Sequence, residues 1–256
     1  MKAAVRLDRV SFSYKSSEVL TDVSLEIAEE SFTVLLGRNG SGKSTLLKVI
    51  AGLLKPTRGA VAVMERSIAD LSLTDRARML GYLPQFHRPV FPFSAEDVVL
   101  TGRASYVRFT PGEKDRAKAV AALERVGVAD LRHRPFTELS GGEQQMVMIA
   151  RVLAQEPKIV LLDEPTAHLD LANQTRILRF LKGLAGSGYT IIAVLHDPNT
   201  AFLYGDGFIF LKNGQIEELA AGKKPWEPGI LGNVYGLELD MLPHKGRAFV
   251  IPRTGG

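Results

Sequence analysis

Eight residues near the N-terminus constrain the fold of this chain more than any other segment. Residues 37–44 read G-R-N-G-S-G-K-S and match the pattern G-x-x-x-x-G-K-[ST]. They follow the apolar run at residues 32–36 and lead into residues 44–51, whose spacing predicts a helix. A strand, a glycine loop and a helix in this order form the context in which the pattern binds phosphate.

The residue types in this loop suit phosphate for a physical reason. Glycines let the backbone wrap closely around an anion, and the helix N-terminus adds roughly half a positive charge. We expect Lys43 to reach the β- and γ-phosphates of a nucleotide and Ser44 to hold Mg²⁺ through its hydroxyl. The predicted nucleotide-binding residues of the loop are Gly37, Arg38, Asn39, Gly40, Ser41, Gly42, Lys43, Ser44 and Thr45.

Composition permits one large α/β domain and excludes several classes of protein. The chain has 256 residues, 45% of them hydrophobic and 23% charged, as in ordinary globular proteins. Its net charge of +4 is modest and its basic residues are scattered singly, so we predict no nucleic-acid partner. The absence of cysteine excludes disulfides and thiolate metal sites.

The sequence also argues against secretion and against a membrane span. Asp8 and Arg9 stand where a signal peptide needs an apolar run. No apolar stretch approaches the roughly 20 residues that cross a bilayer. We therefore expect any membrane role to come through a partner.

Apolar periodicity predicts a mostly parallel sheet interrupted by a helical segment. Strands are predicted at residues 5–14, 19–27, 32–36, 60–64, 79–83, 159–162, 190–195 and 208–211. Helices are predicted at residues 44–51, 95–101, 113–126, 142–155 and 171–185. Asn213 and Gly214 predict a tight hairpin turn, whereas the Gly/Pro-rich tail from Lys223 predicts no particular element.

A second motif supplies the acids that a phosphate site needs. The apolar residues 159–162 are followed directly by Asp163 and Glu164. Because ligands bind at the carboxyl ends of parallel strands, we expect Asp163 to face the Mg²⁺ held at Ser44. Glu164 is placed to orient or activate the water that attacks the γ-phosphate. Acids that are merely solvated at a strand end are the alternative.

A third motif lies directly before the helix predicted at residues 142–155. Residues 139–143 read L-S-G-G-E, in which Ser140 is a good N-cap and two glycines create a second anion-binding terminus. At this point the chain resembles the ATP-binding subunits of ABC transporters, whose signature motif reads LSGGQ. The resemblance covers about residues 5–219, with Glu143 in place of the common glutamine.

The resemblance assigns further residues by position. Tyr14 lies where an aromatic residue of the family stacks on adenine, with packing as an ordinary strand residue as the alternative. Gln85 matches the glutamine that senses Mg²⁺ and the attacking water, and His196 matches the histidine that contacts the γ-phosphate. Ala167 replaces the serine of the family's S-x-L-D motif, so any hydrogen bond made by that serine's hydroxyl is in doubt. Asp170 of the same motif is in place.

The resemblance also implies an α/β fold with three parts. A P-loop nucleotide-binding core with a mostly parallel sheet carries an antiparallel β subdomain and an inserted α-helical subdomain. The implied bounds are residues 1–84 and 157–222 for the core, 85–156 for the helical signature subdomain and 223–256 for a short C-terminal extension.

ATP and Mg²⁺ are the implied cofactors. The implied catalytic residues are Glu164, His196 and Gln85, and the implied metal-binding residues are Ser44, Gln85 and Asp163. The nucleotide is expected to contact Ser140, Gly141, Gly142 and Asp170 as well.

The family architecture implies a head-to-tail homodimer. Lys43 and Glu164 of one copy would then meet Ser140 of the other copy across a bound ATP. The implied partners are integral-membrane permease subunits and, indirectly, a substrate-binding protein. The implied location is peripheral, on the cytoplasmic face of the cell membrane.

Local sequence features indicate which class of ABC ATPase the chain resembles most. The stretches at residues 102–112, 164–170 and 195–199 are most similar to importer subunits for iron-siderophore, haem and cobalamin, with molybdate and tungstate relatives. An exporter, or a soluble ATPase of the iron–sulfur cluster assembly type, remains an alternative. A chromosome-organising ATPase is excluded because only about 95 residues separate Ser44 from Ser140, too few for a long coiled coil.

The aromatic stretch at residues 86–93 has two readings. It either lines a groove that receives a helix of a membrane partner or pins the helical subdomain to the core.

Overall fold

The structure, a computed structural model, describes residues 2–85, 92–219, 223–244 and 247–253. Its strands are β1 (Ala3–Tyr14), β2 (Ser17–Ala28), β3 (Phe32–Leu36), β4 (Arg58–Val63), β5 (Arg66–Ser67), β6 (Leu80–Leu83), β7 (Ile159–Asp163), β8 (Thr190–Val194), β9 (Gly207–Lys212), β10 (Gln215–Glu217), β11 (Leu239–His244) and β12 (Arg247–Pro252). Its α-helices are α1 (Lys43–Ile50), α2 (Leu73–Met79), α3 (Ala95–Leu100), α4 (Glu113–Arg125), α5 (Gly141–Leu153), α6 (Leu171–Ala185), α7 (Pro198–Tyr204) and α8 (Pro228–Tyr235).

The larger sheet has six strands in the order β10-β9-β3-β8-β7-β6. Strands β9, β3, β8, β7 and β6 run parallel, and β10 adds an antiparallel edge through the hairpin in which Lys212 pairs with Gln215. The predicted mostly parallel sheet is therefore confirmed. Its parallel strands end at one edge, where the side chains that follow β3, β6, β7 and β8 meet.

A second sheet is antiparallel, with the order β2-β1-β4-β5. Its two long strands form a hairpin in which Val5 pairs with Ile27 and Tyr14 with Ser17. This sheet is the predicted antiparallel β subdomain, and the strands expected near residues 5–14 and 19–27 form it.

The two faces of the larger sheet bury two different apolar clusters. On β3, Val34 and Leu36 pack with the helices α5 and α6, whereas Leu35 packs with α1 and the antiparallel sheet. Each of these three side chains is fully buried. Alternation of side chains along a strand explains the division. Burial of each such side chain contributes about 1.5–3 kcal/mol, so the sheet holds α1 and the loop before it rigidly.

Helices α3, α4 and α5 pack against one another between β6 and β7 in the chain order, as the sequence predicts for an inserted helical segment. Leu123 of α4 and Met146 of α5 lie fully buried in their shared core. The division of the chain at residues 85 and 156 stays a prediction. The aromatic stretch at residues 86–93 lies mostly outside the described residues, so both of its readings stay open.

Three regions differ from the sequence-based expectation. Helices α2 and α7 were not predicted, and the tail that predicted no element forms α8 and the hairpin β11–β12. The tail folds because Leu231, Val234 and Val250 are buried in the main core. Its Gly and Pro residues favour an irregular segment, and burial against the main core overrides that local preference.

Candidate active site

The carboxyl ends of the parallel strands border a cleft of about 780 Å³. The volume lies within the range of pockets that hold small molecules. The lining residues are Val19, Asn39, Gly40, Gly42, Lys43, Ser44, Thr45, Gln85, Glu164, Thr166, Ala167, His168, Gln174, Val194, Leu195, His196, Asp197 and Thr200. Residues predicted from four separate motifs are thus brought together at one place.

The glycine loop is wedged between neighbouring strands. A side chain at Gly37 would place its Cβ 2.2 Å from the carbonyl oxygen of Leu211, and one at Gly42 would lie 3.0 Å from that of Val19. Gly42 also has a φ of 104°, in the region that favours glycine. The backbone path of the loop therefore requires glycine at both positions.

Lys43 is buried at the base of the loop. Its ammonium donates to the carbonyl oxygens of Gly37 at 2.8 Å and Arg38 at 2.9 Å. Burial lowers the pKa of Lys43, and the nearby carboxylates of Glu164 and Asp163 oppose that shift. Burial of the Lys43 ammonium costs free energy. A bound anion would offset that cost, so the site favours an anion.

Ser44 and Asp163 form the second feature of the cleft. The Ser44 hydroxyl donates to Oδ1 of Asp163 at 2.9 Å, and the Tyr82 hydroxyl donates to Oδ2 at 3.4 Å. Burial raises the pKa of Asp163, and the hydrogen bond from Ser44 acts in the opposite direction. Tyr82 had not been predicted. The sequence carries no signal for this contact, because it depends on β6 lying beside β7.

Glu164 occupies the centre of the site. Its Oε2 lies 2.6 Å from Nε2 of His196, and Gln85 donates to the same oxygen. The residue has a φ of 55°, a conformation that costs a non-glycine residue about 1 kcal/mol or more. The backbone is therefore strained at Glu164, directly after β7. In this conformation the Glu164 carboxylate lies between His196 and Gln85.

The L-S-G-G-E motif lies outside the lining of this cleft among the described residues. Ser140 caps α5, as predicted, and forms a reciprocal capping box with Glu143. The carboxylate of Glu143 accepts from the Ser140 backbone N–H at 2.7 Å. Glutamate and glutamine both occur at this position of a capping box, which explains why Glu143 fits the motif.

Two predicted residues lie beside the cleft. The ring of Tyr14 packs edge-on against Phe12 at 4.8 Å but keeps 45% of its surface exposed, so both of its readings stay open. Asp170 caps α6 by accepting from the backbone N–H of Asn173 at 2.8 Å. Its expected contact with nucleotide stays a prediction.

The donor set of the cleft fits a magnesium nucleotide. The hydroxyl of Ser41 is buried in the loop, and no described residue hydrogen-bonds to it. The described residues contain no cluster of three His, Asp or Glu side chains that would hold a metal alone. Ser44 and Asp163 instead offer two oxygens, and Mg²⁺ completes such a pair with phosphate and water oxygens.

Comparison with known proteins decides the family. The family model described as ABC transporter matches residues 20–167, more than half of the chain. The chain belongs to the ABC transporter family. Members of this family hydrolyse ATP during transport, and this chain is an ATP-binding ABC ATPase subunit. The predicted family, fold class and ATPase activity are therefore confirmed.

Among relatives of this ABC ATPase is the hemin import ATP-binding protein HmuV of Thermobifida fusca. It is 39% identical over 246 residues, which cover 96% of this chain and 84% of the relative. A structure described as an inward-facing metal-chelate type ABC transporter matches with a TM-score of 0.85 and 28% identity, covering 99% of this chain and 98% of the other.

The dimeric structure of a bacterial ABC transporter cassette also matches. Its TM-score is 0.74 at 33% identity, with 84% of this chain and 97% of the other covered.

Proposed function

We propose that this ABC ATPase energises the uptake of a metal chelate, such as haem, an iron-siderophore or cobalamin, or of a metal oxyanion, through a separate membrane permease. The observation that carries the proposal is the similarity to the T. fusca hemin import subunit across 96% of the chain. The match to a metal-chelate type transporter over 99% of the chain supports the same cargo class.

In the proposed site, the amides of residues 37–45 and the ammonium of Lys43 hold the β- and γ-phosphates. Ser44 and Asp163, whose side-chain oxygens lie 2.9 Å apart, would hold Mg²⁺ together with Gln85. When bound, the ion would supply positive charge that offsets the charge on the transferred phosphoryl group.

The proposed chemistry centres on Glu164. Its carboxylate orients the attacking water and accepts a proton from it, and His196 and Gln85 hold the carboxylate at its Oε2 atom. With nucleotide bound, His196 would also contact the γ-phosphate, and Gln85 would lie between the attacking water and the metal. Because phosphoryl transfer depends mainly on positioning and charge, these residues supply the part of the hydrolytic site that one chain contributes.

A head-to-tail homodimer completes the proposed site. Ser140, Gly141 and Gly142 lie at the N-terminus of α5, outside the cleft of their own chain, and present backbone N–H groups to an anion. Supplied by a second copy, they would cover the phosphates of the first. ATP then favours the closed dimer over the open one, and hydrolysis removes that preference.

The membrane partner is also proposed. No helix in the described parts of the chain has the length and apolar character of a bilayer span. We propose that the subunit binds the permease at the cytoplasmic face of the membrane and that a substrate-binding protein delivers the cargo to that permease.

The Glu164→Gln variant provides the test. Expressed in the source cell and loaded with ATP, it should remain dimeric and co-purify with a multi-span permease encoded near a substrate-binding protein. Loss of that permease should then abolish uptake of haem or another chelate tested in the same cells. Co-purification with a soluble assembly partner and no permease would overturn the transport proposal while leaving the ATPase chemistry intact.

A further inference from the structure

The C-terminal segment, residues 223–244 and 247–253, packs against α7 and β9. It carries α8 and the hairpin β11–β12, and it reaches both α7, which follows β8, and the glycine loop. None of the nucleotide-site motifs includes these residues. The contacts of the segment are polar and directional, so they fix positions and do more than cover apolar surface.

Asn199 makes the most specific of these contacts. Its amide Nδ2 donates to the carbonyl oxygen of Val250 at 2.9 Å, and its Oδ1 accepts from the N–H of Val250 at 2.8 Å. One side chain thus pairs with both backbone groups of a single residue on β12. Two bonds fix the orientation as well as the distance between α7 and β12.

This paired contact lies three residues after His196. Asp197 caps α7 by accepting from the backbone N–H groups of Asn199 at 3.1 Å and Thr200 at 2.9 Å. Pro198 restricts φ at the first helical position. The turn that carries His196 is therefore rigidly joined to the first turn of α7, and Asn199 joins that turn to β12.

Tyr235 of the same segment lies beside the glycine loop. Its hydroxyl is buried near the backbone of Gly37 and the carboxylate of Asp197, and no described residue meets it with hydrogen-bond geometry. Burial raises the pKa of Tyr235 to about 12, the Gly37 backbone opposes the shift, and Asp197 adds to it. The hydroxyl therefore stays protonated between the glycine loop and the turn of His196.

The segment is itself anchored to the sheet independently of these contacts. Its anchoring comes from Leu231, Val234 and Val250, which are buried in the main core. The exposed Asn233 of α8 adds only a surface contact, in which it accepts from Lys212 at 2.6 Å and donates to Glu217 at 2.8 Å. The segment can therefore serve as a fixed reference for the loops that it touches.

We propose that Asn199 is a positioning residue for His196, with β12 of the C-terminal segment as the support against which it holds the histidine. The inference rests on the proposed role of His196 in hydrolysis. It assigns the C-terminal extension a part in turnover, in addition to the nucleotide-site motifs.

The test compares Asn199→Ala with Asn233→Ala in the full chain. Asn233→Ala removes a paired amide contact of the same segment that touches neither α7 nor the glycine loop. Asn199→Ala should lower kcat for ATP about ten-fold and leave KM within about two-fold, because the glycine loop is unchanged. It should also shift the ring NMR signals of His196, identified by their loss in His196→Ala. Asn233→Ala should leave kcat and these signals unchanged.

Asn199→Asp is a second variant that tests the same contact if Asn199→Ala does not fold. Aspartate keeps the acceptor for the Val250 N–H but loses the donor, so its kcat should lie between those of wild type and Asn199→Ala. Wild-type kcat and unshifted His196 signals in the folded Asn199 variants would overturn the inference. An equal loss in Asn233→Ala would also overturn it. Unchanged turnover in His196→Ala would instead overturn the role of His196, so the two failures are distinguishable.

Discussion

The side chain of His196 contacts one carboxylate oxygen of Glu164. Oε2 of Glu164 lies 2.6 Å from Nε2 of His196, although the two residues follow different strands, β7 and β8. Gln85, which follows β6, donates to the same atom. Residues that follow three neighbouring strands therefore fix the position of the Glu164 carboxylate. The proposed chemistry depends on this group more than on any other.

Replacement of Glu164 by glutamine should separate binding from turnover. The amide keeps the size of the side chain but cannot accept a proton, so ATP turnover should fall about 10²–10⁴-fold while ATP affinity stays close to wild type. Turnover by phosphate release and affinity by a fluorescent nucleotide measure the two effects. The control is Glu124→Gln on the exposed face of α4. Wild-type turnover in Glu164→Gln would show that Glu164 is not the residue that accepts a proton from the attacking water.

Much of this site was predictable because its residues stand next to strong local patterns. Gly37 follows a buried apolar strand and Asp163 ends another, and parallel strands bring their carboxyl ends to one edge. The neighbours of these residues were less predictable. Tyr82 donates to Asp163 only because β6 lies beside β7, and this strand order is not visible in a single sequence.

Replacement of Gly37 by alanine should damage the phosphate loop. The new Cβ would lie 2.2 Å from the carbonyl oxygen of Leu211, so the loop would have to move away from β9. We expect ATP affinity to fall at least about ten-fold, a loss of about 1.4 kcal/mol of binding free energy. Titration with a fluorescent nucleotide measures this loss.

Gly183 in α6 is the matched control for Gly37. A Cβ there has no atom within 4 Å, so Gly183→Ala should raise the free energy of unfolding by up to about 1 kcal/mol through helix propensity and leave ATP affinity unchanged. Equal nucleotide affinities in the two variants would contradict the role assigned to the tight packing of Gly37.

The capping box at Ser140 should make stability depend on pH. Hydrogen bonds from the side chain and backbone of Ser140 lower the pKa of Glu143 below its ordinary 4.5. The ionised carboxylate therefore stabilises the folded chain above that value, and the contribution disappears as pH falls through the lowered pKa. Because the carboxylate of Glu143 lies near the surface, solvent screening limits the effect to about 0.5 kcal/mol.

Glu143→Gln should remove this pH dependence. Urea unfolding followed by the fluorescence of Trp226, the single tryptophan, should show wild type more stable than the variant at pH 7. The difference should shrink below about pH 4. A difference in unfolding free energy that stays constant from pH 7 to pH 3.5 would contradict the capping contribution.

The C-terminal segment was the least predictable part of the chain. Asn199 gives no sequence signal of its contact, because its partner is the backbone of Val250, 51 residues further on. Helix α7 could have been found from Asp197 and Pro198, which form an N-cap followed by proline at the first helical position. Helix α2 carries a similar signal in Ser72 and Asp75.

The proposed composite site predicts that two inactive chains restore each other. Lys43→Ala damages the phosphate loop, and Ser140→Arg blocks the N-terminus of α5, so each homodimer should have little ATPase activity. In a head-to-tail heterodimer, one of the two sites pairs the intact loop of one chain with the intact Ser140 of the other.

Mixing the two variants and measuring phosphate release is the most direct test of this account. The mixture should recover up to about a quarter of wild-type turnover, since half of the dimers are mixed and each holds one intact site. A mixture as inactive as its components, with heterodimers demonstrated, would contradict a site completed by Ser140 of a second copy.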